Sequence, residues 1–400
     1  MDRYNLHVAN LTNPAEIRRT LTELGVDPRG VEIMTPKGLF FLVRGEGLDQ
    51  QALSILKQEM LAKGGEAAIP REAYGGGDGR VEFLLFGSLT QYERVCRTLE
   101  EQPFGLRVLS REIRTLLDGV HSSPPAIKIG SSEFRWGCRT YLMGIINATP
   151  DSFSGDGLQQ AADPVEAAVT QAKAMADAGV DLLDIGAEST RPGAALVEAA
   201  EELRRLMPIL RAVRQVVRVP ISVDTSKAAV AEEALANGAD CLNDVWGLQR
   251  DPDLAGVAAK ARVPVVVMHN QIGTEYRDLI GDILGFLRRS IDLAAAAGIP
   301  TTEIIVDPGI GFGKTREQNL EVLRDLQELR CLGRPVLLGA SRKSTIGLTL
   351  DLPVNERVFG TAATVALGIA KGADIIRVHD AKEMQQVARM SDAIVRGDRE

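Results

Sequence analysis

Between residues 141 and 395, eight short apolar runs alternate with longer amphipathic ones, and no other feature of the chain restricts its fold as much. The apolar runs are 141–147, 182–185, 221–223, 241–243, 265–268, 304–306, 336–338 and 375–377. Helical spacing fills 164–178, 198–217, 227–236, 252–261, 279–297, 316–330, 356–371 and 382–395. Strands that are apolar on both faces and alternate with helices require a parallel sheet covered on both sides. Eight such units within residues 123–400 fit a closed (β/α)8 TIM barrel better than an open doubly wound sheet. Residues 126–136, ahead of the first run, read as a short hairpin that closes the barrel bottom.

Upstream the pattern changes. Residues 31–43 are apolar around a Pro36-Lys37-Gly38 turn, 48–61 have helical spacing and 66–69 are strand-like. After the glycine-rich stretch 75–79, a strand (81–86), a helix (90–99) and a strand (106–108) repeat the theme. Two β-α-β units of this size predict a small α+β domain of ferredoxin-like type. A helix over 110–117 leads into His121-Ser122-Ser123-Pro124-Pro125, a polar, proline-punctuated stretch. It sets the boundary between a domain of residues 1–122, in which no motif carries a mechanism, and a barrel of residues 123–400.

A formal net charge of −8 gives no broad positive field, so general capture of nucleic acid or of an anionic membrane is not expected. An anionic ligand must be held by local groups. Cys96, Cys138, Cys241 and Cys331 lie far apart with no C-x-x-C pair, which speaks against a zinc site or a disulfide framework and for a reducing compartment. The start of the chain has no apolar targeting segment, and no stretch approaches 18 uncharged apolar residues. A cytoplasmic protein that does not cross a membrane is expected.

A barrel of this kind carries its chemistry at the C-terminal ends of the strands. Those ends hold Asn147, Glu188 with Ser189, Thr190 and Arg191, Asp224, Asn243 with Asp244, His269 with Asn270, Asp307, Ser341 with Arg342 and Lys343, and Arg377 with His379. Any one of these polar residues could simply cap the next helix. Eight ends converging on one mouth make a site. The glycine cluster 309–315 is not a Walker A loop, because the glycine required five residues before Gly313 is Pro308.

The segments MGIINATPDSFSGDG (143–157), DIGAESTRPGA (184–194), ISVDTSK (221–227), NDVWGL (243–248), DPGIGFGKT (307–315), GASRKSTIG (339–347) and IIRVHD (375–380) resemble dihydropteroate synthase, in that family's order. The resemblance covers residues 126–400. It implies a folate-pathway transferase that joins 6-hydroxymethyl-7,8-dihydropterin diphosphate to 4-aminobenzoate and releases diphosphate, with Mg2+. It further implies Asp307 as the two-pronged acceptor for the pterin amino group and ring N–H, with Asn243 on the pyrimidine edge and Lys343 at the ring carbonyl and nitrogen. Asp224 is implied on the other side of the ring, where a fixed carboxylate stabilises a methylene carbon turning cationic. Arg377 and His379 are implied as the diphosphate grip, Asn147 as the Mg2+ contact, and Asp224, Lys343 and Arg377 as the catalytic set.

Loops 151–157 and 188–193 are implied as lids, with Thr190, Arg191 and Pro192 in the aminobenzoate site and Ser344 at its carboxylate. Sulfonamides, as mimics of aminobenzoate, are implied inhibitors, and a homodimer is the expected assembly. Three positions depart from the family pattern. The lid acid, Asp156, is shifted by one, Trp246 replaces a common arginine, and Ala187 replaces a common glycine. Two alternatives are a pterin-binding methyltransferase acting between a reduced folate and a corrinoid protein, and a non-catalytic pterin-binding regulator. The Ser341-Arg342-Lys343 and Arg377-Val378-His379 groups argue against the first, which has no diphosphate to hold, and the occupation of every alignable core family position argues against the second.

Overall fold

The computed structural model describes residues 6–11, 13–71, 81–148, 163–188 and 197–397. The chain separates into two units, Met1–Ser122 and Ser123–Glu400. In the first, α1 (Pro14–Glu23) and α2 (Pro28–Gly38) precede β1 (Phe40–Leu48), α3 (Gln50–Ala62), β2 (Glu66–Ala68), β3 (Val81–Ser88), α4 (Leu89–Leu99) and α5 (Leu106–His121). β3 lies between β1 and β2 and is antiparallel to both. Val43, Ala67, Phe83 and Leu85 of the sheet form one core with Leu53, Leu56, Tyr92, Leu99 and Ile113 of the helices.

The α+β class is as expected, but two segments read as extended are helical. Residues 28–38 form α2 because Pro28 occupies the first helical position and Asp27 caps it, accepting from the Arg29 N–H at 2.9 Å. Val31 and Thr35, four apart, then share the buried face. Residues 106–108 open α5 instead of forming a fourth strand. Gly105 leads into that helix at φ 78°, and Leu106, Ser110, Ile113 and Leu117 make a buried stripe with helical spacing. The β1-α3-β2-β3-α4 order of a ferredoxin-like domain is kept, with α5 in place of the last strand.

The second unit begins with an antiparallel hairpin, β4 (Ile127–Ile129) and β5 (Ser132–Phe134). Eight parallel strands follow: β6 (Tyr141–Asn147), β7 (Leu182–Gly186), β8 (Ile221–Asp224), β9 (Cys241–Asp244), β10 (Val265–Met268), β11 (Ile304–Asp307), β12 (Leu337–Leu338) and β13 (Ile375–Val378). They neighbour one another in the order β11-β10-β9-β8-β7-β6-β13-β12, and a parallel bridge between Val306 and Val336 joins the two ends. The sheet is a (β/α)8 barrel. Its helices are α6 (Pro164–Asp177), α7 (Ala199–Val216), α8 (Ala228–Ala236), α9 (Leu254–Ala261), α10 (Leu279–Ala296), α11 (Arg316–Arg324), α12 (Ser344–Leu350), α13 (Val358–Ala370) and α14 (Ala381–Arg396).

The two ends of the barrel are built differently, and that difference places the site. At the N-terminal end, Ile127, Ile129, Phe134 and Trp136 of the hairpin region cluster with Met143, Leu182, Cys241, Val266, Ile305, Leu337 and Ile375 from seven strands. Each large side chain fully buried there contributes roughly 1.5–3 kcal/mol, so this end is a packed plug. Acids at this end serve the backbone. Asp181, Asp240 and Asp374 each stand just before a strand and accept the N–H of Leu142, Ile221 and Val336 on the neighbouring chain segment at 2.9, 2.9 and 3.0 Å. Carboxylates spent this way read as stability, which leaves the acids at the other end for chemistry. Among the described residues no helix is long and apolar enough to cross a membrane.

Candidate active site

Asn147, Asp224 and Asp307 are the last residues of β6, β8 and β11, Asn243 and Arg377 lie within β9 and β13, and His379 follows β13 directly. Lys343 caps α12 and Ser344 is its exposed first residue. Thr190, Arg191 and Pro192 lie outside the described residues, as do residues 151–157 with the shifted acid Asp156.

The deepest part of the mouth is a chain of four side chains. Arg377 donates from Nε to Asp184 Oδ2 at 2.7 Å and from its terminal nitrogen to Asp224 Oδ2 at 3.1 Å. Asn243 donates to the same Asp184 oxygen at 3.0 Å. Burial and the neighbouring Asp184 charge push Asp224 well above the usual carboxylate range, against the pull of the Arg377 guanidinium. The second oxygens, Asp184 Oδ1 and Asp224 Oδ1, are buried without a hydrogen-bond partner in the structure. A buried acceptor left unpaired is costly, so this is a place where a ligand donor or a water belongs.

Asp184 was not among the expected site residues. It sits mid-strand in the apolar run LLDIG and is fully buried. A carboxylate inside such a run was the available signal, since a buried charge must find a partner.

A second cluster surrounds the loop after β11. Gly309, Gly311 and Gly313 adopt φ of 70°, 82° and 55°, a left-handed backbone that favours glycine. At Gly309 a Cβ would also stand 1.9 Å from the His269 carbonyl oxygen, so no other residue fits. Asp307 Oδ1 accepts the Gly309 N–H at 2.7 Å, while burial pushes the Asp307 carboxyl up and the Lys343 ammonium pulls it back. Lys343 Nζ donates to the Ile310 carbonyl and lies 4.6 Å from the centre of the Phe312 ring. Burial lowers Lys343 to about 8. Gly339 keeps the space between Asp307 and Arg377 open, since a Cβ there would lie 3.8 Å from both Asp307 Oδ2 and Arg377 Cβ.

His379 completes the rim. Ser341 Oγ accepts the His379 backbone N–H at 3.2 Å and meets Nδ1 at 3.1 Å. The serine thus holds both the backbone and the ring of His379, with Nε2 as the ring nitrogen left for a ligand. Burial and the Arg377 and Arg342 guanidiniums lower His379 to about 3, so the ring is neutral at ordinary pH. Asp244 is not part of this set. Its two oxygens accept the Trp246 and Leu248 N–H groups at 2.9 and 2.6 Å, the helix-capping kind of role open to any polar strand end.

Among the described residues no group of three or more His, Cys, Asp or Glu could hold a metal ion. Asn147, half-buried at the end of β6, offers a single amide oxygen beside Gly186. That donor set suits Mg2+, which keeps several waters and is commonly shared with substrate phosphates rather than caged by protein.

These residues also fall inside a recognisable pattern. A model of the pterin binding enzymes matches residues 143–379. The dihydropteroate synthase of Clostridium beijerinckii is 51% identical over 271 residues, which span 68% of this chain and 100% of that one. A probable bifunctional folylpolyglutamate synthase/dihydropteroate synthase of Halobacterium salinarum is 40% identical over 387 residues, 94% of this chain and 46% of that one, so there the similarity runs into the first unit. The crystal structure of the Yersinia pestis dihydropteroate synthase with a sulfonamide drug complex aligns with a TM-score of 0.63 at 40% identity, over 68% of this chain and 99% of that one. A barrel mouth with this ordered set of strand-end residues, matched over its whole length by such relatives, places the chain in the pterin-binding enzyme family, as a dihydropteroate synthase.

Proposed function

We propose that the mouth holds the two ends of 6-hydroxymethyl-7,8-dihydropterin diphosphate at separate poles, the pterin between Asp307, Asn243 and Lys343 and the diphosphate against Arg377 and His379. As a dihydropteroate synthase the chain is a transferase of folate biosynthesis. The single observation behind the assignment is the hydrogen-bonded chain Asn243, Asp184, Arg377 and Asp224, which ties the pterin side to the diphosphate side through one buried guanidinium. As the carbon–oxygen bond to diphosphate breaks, its electron pair leaves with the diphosphate and the methylene carbon turns cationic. Asp224 in its ionised form stabilises that state more than the ground state, and the developing cation favours that ionisation against the burial that raises the group. The amine of 4-aminobenzoate then supplies the electron pair for the new carbon–nitrogen bond and afterwards loses a proton, a sequence that needs no strong base. Asn147 would hold Mg2+, whose charge, when it is bound, offsets that of the diphosphate oxygens.

His379 offers the cleanest test, because its proposed contact is with the diphosphate alone. His379→Ala is expected to weaken binding of the pterin diphosphate about tenfold and to leave binding of the unphosphorylated hydroxymethyl pterin within about twofold, as suits the loss of one hydrogen bond to a charged group. Calorimetry with the two ligands reads this directly. Equal losses for both would move His379 out of the diphosphate pole.

Thr190, Arg191 and Ser344 are assigned to the 4-aminobenzoate site, and sulfonamides to competition for it. The sulfonamide complex of the Yersinia pestis relative supports this reading. Competition kinetics against 4-aminobenzoate tests it.

The division at residues 122 and 123 is read as one between two domains, because each side has its own buried core. A homodimer is read from the barrel alone, since Phe359 and Leu367 on α13 and Met390 and Ile394 on α14 are exposed apolar residues on helices that pack side by side. One experiment covers both readings: residues 123–400 expressed alone should fold, turn over and sediment as a dimer. An unfolded or monomeric fragment would refute the corresponding statement. The four unpaired cysteines fit a cytoplasmic location.

A further inference from the structure

We propose that Lys314, which is outside the set assigned to touch substrate, positions the pterin clamp by locking the glycine loop 309–313 on which Asp307 and Lys343 depend. The inference rests on the assignment of those two residues to the pterin.

Lys314 is only 9% exposed. Its ammonium donates to the Gly309 carbonyl at 3.0 Å and the Phe312 carbonyl at 3.1 Å, and lies 2.9 Å from His269 Nδ1. Three acceptors take up all three of its donors. A lysine gains nothing by leaving water for neutral partners unless the geometry it fixes is useful, because desolvating an ammonium is expensive. Here the two carbonyls lie three residues apart, so the side chain closes the loop like a staple.

What the loop offers the site is attached to those same residues. Gly309 donates its N–H to Asp307, the adjacent Ile310 carbonyl accepts from Lys343, and the Phe312 ring lies against the Lys343 ammonium. The third acceptor is itself fixed. His269 packs edge-on against Phe286 at 4.9 Å between ring centres and near Tyr276, whose hydroxyl donates to the Gly313 carbonyl at 2.7 Å. Burial and the Lys314 charge lower His269 to about 3, so its Nδ1 is free to accept.

A positioning role and a purely structural one differ in what they do to the pH dependence of binding. The charged or titratable groups around Lys314 are His269 from β10, Asp307 from β11 and Lys343 from the segment after β12. Burial brings Lys314 to about 7 and Lys343 to about 8, and the Lys343 ammonium adds to the lowering of Lys314. Lys314 therefore loses its charge before Lys343 does, and the fall in pterin diphosphate affinity that the parent shows as the pH rises through about 7 is absent once Lys314 is removed.

The test uses the full chain with Lys314→Met, Lys343→Ala and the double variant. Circular dichroism checks folding, and calorimetry reads pterin diphosphate affinity from about pH 6 to pH 9, a range that brackets the lowered values of both lysines. Lys314→Met should fold, bind the pterin diphosphate about tenfold more weakly at about pH 6, and lack the parent's fall in affinity as the pH rises through about 7. The double variant should lose less affinity than the two single losses combined. Unchanged affinity, additive losses, or a fall in affinity near pH 7 that the variant keeps would each overturn the proposal and leave Lys314 a core residue. If Lys343→Ala alone binds the pterin normally, the pterin assignment itself fails, and that result is visible without Lys314→Met. Should Lys314→Met not fold, His269→Leu deletes one of the three acceptors and is expected to give a loss of about threefold, and unchanged binding there would overturn the proposal as well.

Discussion

Asp307→Ala is expected to leave the barrel folded and to weaken binding of the pterin diphosphate by about two to four orders of magnitude. Two charge-assisted hydrogen bonds to the pterin, at roughly 1.5–3 kcal/mol each, account for that range. Folding should survive because the carboxylate does little for the apo protein. Among the described residues its hydrogen bond is to the Gly309 N–H, and burial pushes its pKa up. An acid whose folded pKa lies above its unfolded one opposes folding when ionised, so its removal relieves a cost near neutral pH. Asp307→Asn keeps the shape and one acceptor oxygen but loses the charge and the two-pronged geometry, and should bind nearly as poorly. Calorimetric titration beside a thermal melt separates the outcomes. Near-normal affinity in either variant would remove Asp307 from the pterin pole, and a collapsed melt would mean that its bond to Gly309 holds more than one loop.

The barrel is legible in the sequence because its strands are covered on both faces and so appear as unbroken apolar runs, such as VVVM at 265–268 and IIVD at 304–307. The mouth is legible for a related reason: a polar residue that ends such a run has to point somewhere, and in a closed barrel all eight point to one place. Asp184 escapes that logic. It lies in the middle of its strand, so inspecting strand ends passes it by, although it holds both Asn243 and Arg377.

Lys314 escapes for another reason. Its neighbours in sequence suggest a phosphate loop, and rejecting that idea leaves the lysine without a task until His269, 45 positions away, is seen beside it. In the first unit, the Leu106-Arg107-Val108 stretch fits a strand as well as a helix, and only the longer stripe through Leu117 decides.

Arg377→Ala should produce two large losses with different physical origins, and a second substitution can part them. The guanidinium is shared between Asp184 and Asp224, so its removal leaves two buried carboxylates facing each other without a cation. Breaking a buried pair in this way costs roughly 3–5 kcal/mol of stability. The sign with pH follows from Asp224, which burial and Asp184 already raise and which loses its one opposing influence of size when the guanidinium goes. The variant should therefore be least stable relative to the parent above about pH 8, where both acids are ionised, and should recover toward neutral pH as a proton settles between them. The second loss is of diphosphate affinity, and it does not recover with acid. Combining Arg377→Ala with Asp184→Asn removes one of the stranded charges while keeping an acceptor for the Asn243 amide, so stability above about pH 8 should return in large part, while binding of the pterin diphosphate stays weak and binding of the unphosphorylated pterin is nearly normal. Denaturant titration of the three proteins, with calorimetry on both ligands, reads each effect separately. If the double variant regains diphosphate affinity along with stability, Arg377 acts only as the bridge between two acids, and the diphosphate pole of the site must be sought elsewhere on the rim.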